Sequence, residues 1–190
     1  MKKLLFTLAV AAVLAGCAQI VKVGPGEVLV GNRLAVQADA AWNQFANAPG
    51  GGPQTVWTID GTPLDALQFF VGLKDGALIA PQPKDTRPLL FKAAMQPHEL
   101  TSLVQGLFSQ DGSAVTMGKV EPVEFLGGSG TRMEFSVLRK IDDVNLRGVA
   151  WVTVRDNQLF ALTFTAPRLG FFPRHQARVE QLVRTLKLKS

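Results

Sequence analysis

Few side chains in this sequence are of the types that carry out catalysis or hold a metal ion. The 190 residues include one cysteine, Cys17, and two histidines, His98 and His175. Metal and nucleophile sites need such residues in groups, and neither an H-E-x-x-H nor a C-x-x-C pattern is present. The stretch GGSGT at 127–131 also lacks the G-x-S-x-G spacing of a hydrolase nucleophile. We therefore predict that the protein is not an enzyme, with no metal site and no cofactor, and we interpret both histidines as surface residues.

The acidic pairs are better explained by turns than by chemistry. Asp142 and Asp143 are adjacent, and adjacent side chains in a turn usually diverge, so a solvated turn is the simpler interpretation. Asp60 and Asp65 flank Gly61, where we expect them to shape a hairpin turn.

The residues before Cys17 have the pattern of an export signal. Lys2 and Lys3 precede an apolar run over 4–14 that only Thr7 interrupts. A short basic region, about ten apolar residues and then small residues are typical of a secretory signal peptide. The run is shorter than the roughly 20 apolar residues of a membrane-spanning helix, so we predict export rather than a membrane helix.

The end of this signal, LAGC at residues 14–17, resembles the lipobox of bacterial lipoproteins. That resemblance implies that the Cys17 thiol receives a diacylglyceryl group, that the signal peptide over 1–16 is removed, and that the new amino terminus is acylated. Two or three acyl chains anchor a protein stably to a membrane. The resemblance therefore predicts a lipid-anchored protein of the cell envelope that faces the periplasm. Ala18 follows the cysteine in place of the aspartate that often retains lipoproteins at the inner membrane, which favours the outer membrane in a Gram-negative organism.

Length and charge are consistent with one envelope domain. The formal net charge is +5, and two lysines leave with the signal, so nothing indicates binding to nucleic acid. Six basic residues within 168–190 accompany only one acidic residue, Glu180. A solvated helix face is the simpler interpretation, and a basic face near anionic lipid or cell-wall polymer is the alternative. We predict that the lipidated cysteine and a tether occupy 17–27 and that a single domain occupies 28–190.

Hydrophobic periodicity predicts both strands and helices in the mature chain. For 64–73 the alternation favours a strand, with a helix as the alternative. Apolar residues on both faces of the strand at 146–155 indicate that both faces of its sheet are covered. We therefore predict the α+β class, as an α/β/α sandwich with a mainly antiparallel sheet. The predicted elements are strands at 28–38 with a turn at 31–32, a hairpin of 55–60 and 64–73, a helix at 97–109, a meander of four strands over 113–166 and a final helix at about 173–185.

The end of this meander carries a resemblance to a known fold. The stretch LFALTFTAP at 159–167, followed by a short loop and an amphipathic helix, resembles the PsbP-like fold. Photosystem II extrinsic proteins, Mog-type Ran-binding proteins and several bacterial lipoproteins share that fold. The resemblance covers 113–188, and 28–110 more loosely, and implies a binding or assembly module more often than an enzyme.

The stretch FTAPRLGFFPRH is the best candidate for an interaction surface. Phe171 and Phe172 lie between Arg168 and Arg174, and we expect them on a loop that leads into the basic final helix and its Arg178. Aromatic residues flanked by arginines can form a hot spot for a partner or enter a lipid interface. The simpler interpretation is that the two phenylalanines close the end of the sandwich.

Together these features predict a non-catalytic envelope lipoprotein that binds a protein or cell-wall partner. The alternative is a carrier of a small apolar ligand or lipid, which would need an apolar cavity of about a few hundred Å³ between sheet and helix. A hydrolase is a distant third function, with His98 and His175 as its best candidates.

Overall fold

A computed structural model describes residues 20–49, 51–84 and 86–189. The predicted signal peptide, the lipobox and Cys17 lie outside the described residues. The larger sheet has eight strands in the order β1-β4-β5-β6-β10-β9-β8-β7, and all its pairings are antiparallel. Its strands are β1 (Ile20–Val23), β4 (Trp42–Phe45), β5 (Thr55–Thr58), β6 (Ala66–Lys74), β7 (Ala114–Phe125), β8 (Gly128–Leu138), β9 (Asn145–Arg155) and β10 (Gln158–Pro167).

A second, three-stranded sheet has the order β11-β3-β2. It consists of β2 (Gly26–Val30), β3 (Leu34–Ala38) and β11 (Lys187–Leu188). The hairpin of β2 and β3 turns at Gly31 and Asn32, as predicted, and both residues have positive φ. Gly31 is required there because a Cβ atom would lie 2.9 Å from the Cβ atom of Val71 in the larger sheet. The sequence did not indicate this second sheet.

Two helices pack against the larger sheet. Helix α1 (Pro97–Ser109) has the predicted bounds, and the Glu99 carboxylate accepts a hydrogen bond of 2.7 Å from the backbone N–H of Gln96, which completes a capping box. Helix α2 (Phe171–Thr185) begins two residues before the predicted start. Gly170, with φ +83°, reverses the chain, and Pro173 is tolerated in the first turn because no helical hydrogen bond needs its N–H.

The two faces of the larger sheet belong to different hydrophobic clusters. In β9, Trp151 joins a cluster with α2 and the three-stranded sheet, whereas its neighbours Ala150 and Val152 join a cluster with α1. This alternation follows from the period of two in a strand. The segment predicted at 64–73 is strand from Ala66, because β6 pairs with both β5 and β10. The mixed α+β class with a mainly antiparallel sheet is therefore confirmed.

Two predicted connections contain strand. The range 17–27, predicted as a tether, includes β1, which pairs with β4, and the first two residues of β2. Val23 explains this difference, since it is 7% exposed and packs in the core. In the glycine-rich stretch, Gly128 already pairs with Phe125, so the turn consists of Leu126 and Gly127.

Candidate interaction site

The candidate surface lies at one end of the eight-stranded sheet, which we call the Leu169 end. Here β10 finishes, the chain turns through 168–170, and α2 begins. The β8–β9 connection at 139–144 lies beside this turn, because the Arg168 N–H donates a 2.9 Å hydrogen bond to the Asn145 carbonyl. The opposite end, which we call the Asp156 end, carries the tight turns at 126–127 and 156–157.

Phe172 does not belong to an accessible surface. It is 2% exposed and stacks on Phe164 of β10, with 5.5 Å between the ring centroids. The Arg147 guanidinium lies 5.1 Å from its ring centroid. The prediction that Phe172 lies on a loop is wrong, because α2 already begins at Phe171 and directs Phe172 into the core.

The other predicted residues remain at the surface, in two places. Arg168 and Arg174 are exposed at the Leu169 end, and the Arg174 guanidinium lies 4.9 Å from the ring centroid of the half-buried Phe171. Arg178 is one turn further along α2, where its Nε donates a 3.0 Å hydrogen bond to Asp39. The structure thus brings Arg168, Phe171 and Arg174 together and leaves Arg178 on the side of the helix.

Two apolar side chains at this end were missed by sequence reasoning. Ile141 and Leu169 are 86% and 84% exposed, the highest values among the large hydrophobic residues described. Leu169 also lines a cavity of about 420 Å³, together with Val144, Asn145, Pro167 and Arg168. The sequence feature that could have identified them is a bulky apolar residue within a polar turn, because such a side chain cannot be buried in the core.

His175 is buried and not at the surface as predicted. It is 6% exposed, and its Nε2 lies 2.7 Å from Oδ2 of Asp60. Arg174 approaches the same oxygen at 3.8 Å. The contact joins the first turn of α2 to the turn after β5. His98, in contrast, is exposed at the start of α1, as predicted.

The Asp60 turn is itself held by Asp65, as the sequence predicted. The Asp65 carboxylate accepts hydrogen bonds from the Thr58 hydroxyl at 2.8 Å, the Ile59 N–H at 2.7 Å and the Asp60 N–H at 2.6 Å. A buried carboxylate with three donors is well satisfied. The geometry therefore presents His175 and Asp60 as a structural clamp between α2 and the sheet.

The exposed turn at Asp142 and Asp143 is also ordered by hydrogen bonds. Arg139 donates to both carboxylate oxygens of Asp142, at 2.8 and 2.6 Å, and to the Pro63 carbonyl at 3.0 Å. The hydrogen bond from Arg139 lowers the pKa of Asp142 below its ordinary value. This arrangement fixes the turn that displays Ile141. Across 20–49, 51–84 and 86–189, no three His, Cys, Asp or Glu side chains are grouped so that they could hold a metal ion.

A separate open cleft of about 660 Å³ lies between α2 and strands β7 to β9. Arg132 in this cleft donates hydrogen bonds to Glu121, Glu134 and Glu180 at 3.1, 2.9 and 3.2 Å. Its guanidinium also lies 5.8 Å from the ring centroid of Trp151. Hydrogen bonds from Arg132 and then Arg147 lower the pKa of Glu134. The remaining lining is apolar or charged: Val123, Glu124, Phe125, Leu126, Gly127, Val183, Arg184 and Leu186.

The chain has a PsbP-like α+β fold. The chain is similar to cyanobacterial PsbP (CyanoP) of Synechocystis, with a TM-score of 0.58 and 11% identity over 92% of this chain and 95% of that one. This likeness shows the fold alone. PA94 of Pseudomonas aeruginosa, a protein of unknown function, matches with a TM-score of 0.44 and 12% identity over 88% of this chain and 99% of that one. LpqN of Mycobacterium tuberculosis, involved in cell envelope biogenesis, matches with a TM-score of 0.36 and 10% identity over 93% of this chain and 88% of that one. Both TM-scores are too low to support an argument.

No family model and no curated protein matches the sequence. Among the described residues, no helix is long and apolar enough to cross a membrane.

Proposed function

We propose that this chain is an envelope lipoprotein whose PsbP-like α/β/α sandwich is a non-catalytic module for a protein or cell-wall partner. Lipid on Cys17 holds it to the membrane, and Ala18 directs it to the outer membrane where one is present. The observation that carries the binding function is the pair of exposed apolar side chains, Ile141 and Leu169, on neighbouring turns beside Arg168.

The direction of β1 supports a position of Ile141 and Leu169 on the side of the domain that faces away from the membrane. Strands β1, β5 and β10 run in the same direction, since antiparallel pairing links them through β4 and β6. Ile20 is therefore at the end of β1 that points away from the Leu169 end. Cys17 is only three residues before Ile20, which limits its distance from the sheet to about 10 Å. An anchor there places the Leu169 end away from the bilayer.

The chemistry of the Leu169 end suits a partner with an apolar patch and acidic rim. Ile141 and Leu169 offer apolar area, and Arg168 and Arg174 add positive charge beside it. Apolar anchors surrounded by polar residues are typical of interaction sites. The Asp142 turn and the His175 clamp hold the surrounding backbone in place, which reduces the entropy lost on binding.

The anchor is tested by the intact mass of the protein extracted from bacterial membranes. The proposal predicts cleavage before Cys17 and the added mass of a diacylglyceryl group and an amide-linked acyl chain. The Cys17→Ala protein should lack both changes. An unmodified thiol on membrane-extracted protein would refute the anchor.

The binding surface is tested by crosslinking in intact cells, followed by mass spectrometry. The double change Ile141→Ser and Leu169→Ser should remove one dominant partner without lowering the melting temperature. Leu29→Ser with Val120→Ser is the matched control, since both side chains are exposed on other surfaces, at 51% and 45%. Equal capture of that partner by both double variants would refute the surface.

The cleft beside α2 favours a second candidate function, that of a carrier for a small apolar ligand or lipid. Its apolar residues include Trp151 and Val183, and its volume of about 660 Å³ suits a small molecule. Native mass spectrometry of the purified protein should then show a bound molecule that Val183→Trp displaces. An unliganded protein with unchanged cell-envelope partners would exclude the carrier.

A further inference from the structure

The Asp156 end contains a cavity of about 500 Å³ with an excess of positive charge. Four basic side chains line it, from three parts of the chain, and Asp156 is its one acidic lining residue. The basic residues are Arg33 from the β2–β3 turn, Arg155 from the end of β9, Lys187 from β11 and Lys189 after it.

The two arginines are fixed in place by neutral groups. Arg33 donates a hydrogen bond to the side-chain oxygen of Gln158, and its guanidinium lies 5.3 Å from the ring centroid of Phe160. Arg155 donates to the Leu126 carbonyl. These contacts orient the guanidinium groups and leave their charge uncompensated.

The two lysines of this cavity, Lys187 and Lys189, differ in their contacts with carboxylates. Both lysines are exposed, and the Lys189 Nζ lies 3.0 Å from the Glu27 carboxylate. Within the described parts of the chain, no carboxylate lies within 4.0 Å of the charged groups of Arg33, Arg155 or Lys187.

Three arginines elsewhere in the domain differ from the two that line the cavity. Arg132 in the cleft contacts three glutamates, Arg139 contacts Asp142, and Arg178 contacts Asp39. Their charge is therefore largely balanced within the domain. The two arginines of the cavity lie at the Asp156 end of the sheet, toward which the Ile20 end of β1 points.

We propose that the Asp156 end is the membrane-facing surface and that its basic cavity binds the phosphate of an anionic lipid headgroup. Guanidinium groups recognise phosphate oxygens through paired N–H donors, and lysines add attraction to a negative bilayer surface. Ile20 and Val21, 54% and 48% exposed, lie where the chain leaves the proposed anchor and supply apolar area at the interface. The orientation rests on the proposed anchor at Cys17, whereas binding of the headgroup does not require it.

The test uses the full chain with Cys17→Ala, so that lipidation plays no part. The protein is held in nonionic micelles, with phosphatidylglycerol or with phosphatidylcholine added. An amine-reactive reagent then modifies exposed lysines, and mass spectrometry measures the extent at each one. We expect phosphatidylglycerol to reduce modification of Lys187 and Lys189 severalfold, with no change at Lys140 near the Leu169 end. High salt should reverse the protection.

Substitutions that remove positive charge show which end of the sheet retains the lipid. Lys187→Gln with Lys189→Gln should reduce the amount of phosphatidylglycerol that co-purifies with the protein, and Arg155→Gln should reduce it further. Lys140→Gln with Arg168→Gln removes the same charge from the opposite end and should leave retention unchanged.

Three results would overturn the proposal. The first is that phosphatidylcholine protects Lys187 and Lys189 from modification as much as phosphatidylglycerol does, and the second is that neither lipid protects them. The third is that inorganic phosphate alone protects them as much as phosphatidylglycerol does, which would indicate a site for a free anion. None of them depends on the Cys17 modification, so failure of this site and failure of the anchor are distinguished.

Discussion

Two adjacent phenylalanines at the start of α2 have opposite environments. Phe172 is buried between Phe164 and Arg147, whereas Phe171 lies half-buried beneath Arg174. A helix turns by about 100° per residue, so consecutive side chains cannot face the same surface. Sequence reasoning treated the pair as one surface because it placed both on a loop.

This difference predicts effects of different size for the same substitution at the two positions. Phe172→Ala should lower the free energy of unfolding by about 3–5 kcal/mol, the range for a buried aromatic residue. Phe171→Ala should lower it by about 1 kcal/mol or less, since that ring is partly solvated. Urea denaturation of the two proteins measures both values. Similar losses from both substitutions would contradict the assigned start of α2.

Glu134 on β8 contacts Arg147 on β9 and makes the stability of the sheet depend on pH. Its carboxylate accepts hydrogen bonds from Arg132 at 2.9 Å and Arg147 at 3.1 Å. These bonds hold the pKa of Glu134 below 4.5, its ordinary value. A carboxylate whose pKa is lower in the folded state stabilises that state above its unfolded pKa, and the contribution is lost as the pH falls through the folded pKa.

Acidification should therefore destabilise the wild type more than Glu134→Gln. The expected difference develops below pH 4.5, because only the wild type must protonate this carboxylate. Free energies of unfolding from urea titrations at neutral and acidic pH measure it. Glu124→Gln, which removes an exposed charge from β7, is the control and should keep the wild-type slope. A Glu134→Gln slope equal to that of the control would refute this role.

At the scale of elements, long segments and short strands beside a clear turn signal, such as β2, β3 and β5, could be predicted, whereas other short strands could not. The apolar spacing of α1 gave its bounds, and strong alternation gave β6 and the four strands of the meander. Strands β1 and β4 have four residues each and β11 has two, too few to establish a period. Their pairing depends on residues far away in the chain, since Lys187 pairs with Ala35.

For the candidate site too, the sequence predicted the local features and not the contacts between distant residues. The sequence located Arg168, Phe171 and Arg174, because their types and spacing are local features. It did not reveal that His175 is buried, since its partner, Asp60, is 115 residues away. Nor did it bring Ile141 and Leu169 together, because the β8–β9 connection and the turn after β10 meet only in the folded sheet.

Packing between strands β8 and β9 gives a prediction at this scale. A Cβ atom on Gly148 of β9 would lie 2.3 Å from the ring of Phe135 on β8. Gly148→Ala should thus force the ring aside and lower the free energy of unfolding by about 1–3 kcal/mol. Gly128→Ala in β8 is the control, since no atom lies within 4 Å of its Cβ position, and it should change stability by about 0.5 kcal/mol or less. Calorimetry that finds equal melting temperatures for both would contradict the packing of Phe135 on Gly148.

At the scale of the whole molecule, the two ends of the sheet differ in chemistry. At the Leu169 end, exposed apolar side chains lie on turns beside arginines, and several charged side chains form ion pairs, including Arg139 with Asp142. The Asp156 end has arginines held by neutral groups around an open cavity. The Ile20 end of β1 points away from the Leu169 end. Under the proposed anchor at Cys17, the Asp156 end would therefore face the membrane and the Leu169 end would face a partner.

The measurement that tests this account most directly is site-specific photocrosslinking in intact cells. A photoreactive amino acid is placed at position 169 in one protein and at position 187 in another, and the attached species are identified by mass spectrometry. The account predicts a dominant protein adduct from position 169 and a phospholipid adduct from position 187. Phospholipid at position 169, or the same protein at both positions, would contradict it.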